Sequence, residues 1–155
     1  MAVDVWQRFW NAVPDQTRKN GIVEIAELLQ AWWLSSDDAK VASLSFGAYA
    51  PYSAPTVAGN RELWHVHLAP LRSDRVRWKR WAACRPTSRT SDAAVIFARR
   101  DDGSLLIIWV LNQDAHKIAK MELKESRDFM RDCAAAAREW RVATAVSDEW
   151  LRIVP

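Results

Sequence analysis

Apolar residues recur at helical spacing in two long stretches of the chain, and they alternate or run together in three short ones. Ile22, Ile25, Ala26, Leu29, Trp32 and Trp33 fall on one face of a helix over Ile22 to Leu34. Leu123, Met130, Cys133, Ala137 and Trp140 form a second stripe over Glu122 to Arg141. Leu63 to Leu68 alternates: Trp64, Val66 and Leu68 face one way, His65 and His67 the other. That pattern predicts a strand with one buried and one polar face. Ala93 to Arg99 and Leu105 to Leu111 flank an Asp-Asp-Gly-Ser turn, a good hairpin signal. LLIIWVL is apolar on both faces and is expected at the centre of the sheet.

The segments between are less regular. Residues 1–13 fit a strand (Val3, Val5) or a helix (Trp6, Phe9, Trp10, Val13), ended by Pro14. Ser35-Ser36-Asp37-Asp38 stops the first helix or begins a short second one. Phe46 to Asn60, with its Pro, Gly, Ser and Tyr, reads as an irregular loop. Asp114 is placed to cap a helix beginning near Ala115. Val142 to Pro155 is a tail whose Trp150, Leu151 and Ile153 predict docking. The fold class is therefore α+β: a small antiparallel sheet with helices packed on one face. At 155 residues the chain is read as one domain, 1–155.

Composition alters this picture in two ways. Ten tryptophans are too many for one core, so some are expected to face a partner. The net charge is only +3, but Arg72, Arg75, Arg77, Lys79, Arg80, Arg85 and Arg89 stand against Asp74 alone between 72 and 89. Interleaved with Trp78 and Trp81, this stripe suits phosphate contact plus base stacking. Its bland reading is a solvated loop. Cys84 and Cys133 are far apart and outside metal-ligand spacing. No signal peptide and no run of roughly 18 apolar residues is present, so a soluble, cytoplasmic protein with no membrane contact is expected.

Cleavage of RNA without a metal needs a base for the 2′-hydroxyl proton, an acid for the leaving 5′-oxygen and a cation for the phosphate. All three histidines, His65, His67 and His116, lie on segments flanking the hairpin, and Arg89 heads its first strand. If the strands are adjacent, these groups converge. Taken singly, each has a structural reading: a solvated strand histidine, an arginine paired with Asp92, a histidine at a helix start. His65-x-His67 lacks a supporting carboxylate or Cys for a metal. No phosphate-cradling glycine loop and no GxSxG elbow appears. No cofactor is expected.

SFGAYAPY at 45–52, HVHLAP at 65–70, SRTSD at 88–92 and LLIIWVL with DAHKIAK at 105–120 resemble, in order and spacing, the YafO family of type II toxin–antitoxin toxins. The resemblance covers about residues 20–141 and leaves 142–155 as a C-terminal extension. It implies an endoribonuclease that cuts mRNA on the translating ribosome and stops translation and growth. It implies a cognate antitoxin protein as partner, and a RelE-like architecture. The motif positions are His65, His67, Arg89, Thr90, Asp92, His116 and Lys117. The expected roles are His67 as base or acid with His116 as counterpart, Arg89 as phosphate clamp and Lys117 as second cation. His65 is a second choice. Arg77, Trp78, Lys79, Arg80, Trp81 and Arg85 are expected to hold RNA. Two alternatives stand beside this: a non-enzymatic toxin that inhibits a protein such as DNA gyrase by binding, and a small adaptor.

Overall fold

The computed structural model describes residues 1–144 and 147–155, so two residues of the expected tail, 145–146, lie outside the described residues. Six strands form one sheet: β1 (Val3–Trp6), β2 (Phe46–Pro51), β3 (Trp64–Leu68), β4 (Ala94–Arg99), β5 (Leu105–Leu111) and β6 (Trp150–Val154). Their order across the sheet is β2-β3-β4-β5-β1-β6. Every pairing is antiparallel except β1 with β5, which is parallel. The helices are α1 (Gln7–Ala12), α2 (Gln16–Leu34), α3 (Asp37–Ala42), α4 (Arg75–Ala83), α5 (Ala115–Ala119) and α6 (Lys124–Val142).

The α+β class and the antiparallel sheet are as expected. The helices, however, cover both faces rather than one. On one face Ile22, Ala26, Leu29 and Trp32 of α2 pack on Val66, Val95, Phe97, Leu105 and Ile107. On the other, Met130, Cys133, Ala134, Ala137 and Trp140 of α6 pack on Ile96, Ala98, Leu106 and Ile108. The reason lies in β5, whose Leu105 to Ile108 are fully buried and point alternately into both cores. A strand apolar on both sides requires cover on both sides.

The irregular segments gain structure through tertiary contacts. Residues 1–13 are both things in turn, strand β1 and then helix α1. Helix α2 begins six residues earlier than its apolar stripe, because the Asp15 side chain accepts from the Arg18 N–H at 2.8 Å and caps a polar first turn. The tail becomes β6 on the edge of β1. Buried Asp4 of β1 accepts from the Trp140 indole at 2.9 Å and the Arg152 guanidinium at 3.0 Å, which satisfies its charge.

Phe46 to Pro51, expected to be irregular, is β2, and Gly47 explains both the strand and the expectation. A Cβ at Gly47 would lie 2.2 Å from the Arg89 carbonyl oxygen and 2.5 Å from the Trp81 ring. Glycine here serves close approach. Residues 75–83 within the basic segment are helix α4, started by the Asp74 side chain accepting from the Arg77 N–H at 3.1 Å. No helix among the described residues is long and apolar enough to cross a membrane.

Candidate functional site

The face of β3 turned towards α6 carries His65 and His67, as the alternation predicts. Helix α5 lies beside it and brings in His116. The three rings form a ladder extended by Tyr52: Tyr52 to His65 is 4.4 Å between centroids, His65 to His67 is 5.4 Å, and His67 to His116 is 5.2 Å. They line an open cavity of about 390 Å³ whose other walls include Ser53, Ala94, Ala115 and Lys120.

The SRTSD segment holds two rungs of the ladder. His67 Nδ1 lies 2.8 Å from the Ser91 carbonyl oxygen and 3.2 Å from the Ser91 nitrogen. The shorter contact favours a protonated Nδ1 donating to the carbonyl, which leaves Nε2 as the acceptor. Ser91 is itself tied down by its hydroxyl, 2.6 Å from the Leu68 carbonyl oxygen. Asp92 then pins α5. Its carboxylate accepts from the Asp114 N–H at 2.8 Å and the His116 N–H at 3.2 Å, and its carbonyl accepts from the Ala115 N–H at 3.2 Å. Asp114, expected to be the cap, is in the left-handed region at φ 60° and its side chain makes no capping bond. The cap comes instead from a residue 22 positions away.

The environment sets the charge states. Burial first, then the charges of His67 and His116, lower His65 to about 4. Its Nδ1 is buried without a hydrogen-bond partner. Burial also lowers His67 below its ordinary value, with the Ser91 bond opposing. Both rings are therefore neutral at neutral pH. Hydrogen bonds from the Asp114 and His116 backbone hold Asp92 below the usual carboxylate range. Burial raises the Tyr52 phenol and pushes the Cys133 thiol up to about 12, so neither supplies an anion. Among the described residues, no three His, Cys, Asp or Glu side chains are grouped to hold a metal ion.

The expected site is brought together only in part. His65, His67 and His116 converge. Arg89 does not join them: it is buried, its Nε donates to the Trp81 carbonyl at 3.1 Å and its Nη1 to the Ser43 carbonyl at 2.8 Å. Its guanidinium fastens α4 and the end of α3, so the expected convergence of Arg89 with the histidines is not observed. Trp81 is also buried, with its indole donating to the Leu44 carbonyl at 2.9 Å, so it has no face to offer a base. Trp78 is half-buried with the Arg72 guanidinium 5.0 Å above it. Arg77, Lys79, Arg80 and Arg85 are exposed. Lys117 is exposed and outside the cavity lining, whereas Lys120 lines it. The i, i+4 spacing from His116 carried that signal for Lys120, and Tyr52 closes the SFGAYAPY motif.

The model of the family described as toxin YafO, type II toxin–antitoxin system, matches residues 31–142. The chain belongs to the YafO toxin family. The match runs from α2 through the whole of α6, so the histidine ladder and its SRTSD brace lie inside it. Membership in a type II system implies a cognate antitoxin as partner. No curated protein and no solved structure matches the chain. Strands β1 and β6, which widen the sheet, lie outside the matched residues.

Proposed function

We propose that this YafO-family toxin is an endoribonuclease that cleaves mRNA on the translating ribosome without a metal. The observation that carries the reading is the His67–His116 pair, with rings 5.2 Å apart over an open cavity and His67 oriented by Ser91. His67 Nε2 takes the proton of a 2′-hydroxyl. The freed oxygen attacks the adjacent phosphorus, and the bond from phosphorus to the 5′-oxygen breaks. His116 gives that oxygen a proton. The products are a 2′,3′-cyclic phosphate and a 5′-hydroxyl. Lys120 from the cavity wall neutralises the charge that develops on the phosphate, with Lys117 a turn closer to His116 as a second cation. Arg77, Lys79, Arg80 and Arg85 on the exposed side of α4 and beyond it hold the RNA or ribosomal RNA backbone.

The alternative of a toxin that blocks a protein target rested on a tryptophan-rich surface. None of the ten tryptophans is exposed; they are buried or half-buried. That reading has no observation in its favour here.

The test is induction of His67→Ala and His116→Ala without antitoxin, with message ends mapped by primer extension. The wild type should produce new 5′ ends that disappear when ribosomes are removed. Both variants should accumulate intact message. Growth arrest with intact message in the wild type would refute the nuclease reading.

A further inference from the structure

A second cavity, distinct from that of the histidines, has a volume of about 210 Å³. Pro51 lines both. The walls of the second are Arg61, Glu62, Trp64, Arg99, Asp101 and Arg141. Three of these are arginines. A fourth, Arg138, stands behind them and shares Glu62 with Arg141.

The carboxylate of Glu62 is fully buried and accepts from Arg141 at 2.7 Å and Arg138 at 3.4 Å. One acid between two guanidinium groups leaves a positive excess. Asp101 is the one opposing charge left on the wall, against Arg61 and Arg99. Arg99 lies with its guanidinium 4.5 Å from the Trp64 ring centroid and 5.5 Å from that of Trp33. Stacking uses the flat face of the group and fixes its direction. Its edge keeps its donors, because among the described residues Arg99 makes no ion pair and no side-chain hydrogen bond. Arg61 is exposed and likewise makes none. A planar donor fork, already ordered and without an acceptor, suits a phosphate oxygen pair.

We propose that this cavity binds a backbone phosphate of the RNA strand whose scissile linkage lies over His67 and His116. The proposal rests on the nuclease reading above. Continuity supports RNA over an acidic peptide: the two cavities meet at Pro51, at the end of β2 beside β3. A strand leaving the histidines past Pro51 meets Arg99 and Arg61 with a neighbouring phosphate. The site adds affinity and register, and takes no part in bond breaking.

The probe is a short fluorescent RNA with 2′-O-methyl groups throughout, which binds but has no nucleophile to cleave. Its anisotropy is titrated at several salt concentrations with the full chain, Arg99→Gln, Arg61→Gln and Arg18→Gln. Arg99→Gln and Arg61→Gln should each weaken binding, up to roughly tenfold. Each should also reduce the slope of log affinity on log salt by about 0.7. Arg61 is exposed, so its result stands even if Arg99→Gln loosens the tryptophans. Arg18→Gln, at an exposed arginine of α2 that lines neither cavity, should keep both affinity and slope. Unchanged affinity and slope in both arginine variants would overturn the proposal. If the wild type fails to cleave on ribosomes yet the arginine variants still weaken probe binding, the nuclease reading falls and the phosphate site survives.

Discussion

The histidine cavity and the basic segment from Arg72 to Arg89 carry the same kinds of group, cations and aromatic rings, and use them in opposite ways. In the cavity, backbone groups and the Ser91 and Asp92 side chains hold His67 and His116, and both rings line an open space, His67 buried in its wall and His116 exposed. In the segment the functional-looking groups do the holding. Arg89 satisfies two carbonyls and Trp81 a third. The Arg89 guanidinium and the Trp81 indole, buried and engaged by carbonyls, serve as scaffold. The contrast predicts that cavity substitutions change activity more than stability, and that buried segment substitutions do the reverse.

The largest expected effect is on cleavage. His67→Ala should lower the single-turnover rate on ribosomes by at least about a hundredfold, the usual scale for a lost general base. Equal chemical denaturation midpoints would show that the fold persists. The next largest is on stability. Arg89→Ala strands two carbonyls and should cost about 3 kcal/mol in urea unfolding. Arg89→Lys should recover little, since an ammonium does not reproduce the two-way reach of the guanidinium. A stable, inactive Arg89→Ala would place Arg89 back with the substrate and break the comparison.

Asp92 sits between the two behaviours. Asp92→Ala removes the cap of α5 and should cost about 1 kcal/mol of stability. It should cost activity by more than that, because the helix carries His116. Asp92→Asn keeps an acceptor and should restore part of the rate, measured at saturating ribosomes. A smaller effect concerns pH. His65 titrates near 6.5 when unfolded and about 4 when folded. The unfolded chain therefore binds the proton more readily, and the stability His65 contributes above 6.5 is lost as pH falls towards 4. His65→Phe should flatten the denaturation midpoint over that window. The smallest effect belongs to Lys117→Ala, exposed and outside the cavity lining. It should change cleavage less than Lys120→Ala does.

The comparison also shows which parts of the molecule were legible in the sequence. Period-2 alternation placed His65 and His67 on one face of β3, because the strand packs Trp64, Val66 and Leu68 against the core on the other. The hairpin of β4 and β5 followed from its Asp-Gly turn. Strand β2 was hidden because its glycine answers to Trp81 and Arg89, more than thirty residues away. Strand β6 was hidden because it exists by pairing with β1 at the other end of the chain. The second helical layer is implicit in LLIIWVL, whose two apolar faces both need cover. In the site, residue type pointed to all three histidines. It did not reveal that Arg89 and Trp81 are buried, because their partners are backbone carbonyls that no side-chain pattern advertises.

The most direct test of the His67–His116 assignment is the chemistry of the cut ends. Purified toxin would be mixed with translating ribosomes prepared in chelator-washed buffer, with ribosome integrity verified, and the RNA termini then identified. The account predicts 2′,3′-cyclic phosphate and 5′-hydroxyl ends, absent with folded His67→Ala and His116→Ala. Ends bearing 3′-hydroxyl and 5′-phosphate, or unchanged cleavage by either variant, would contradict it.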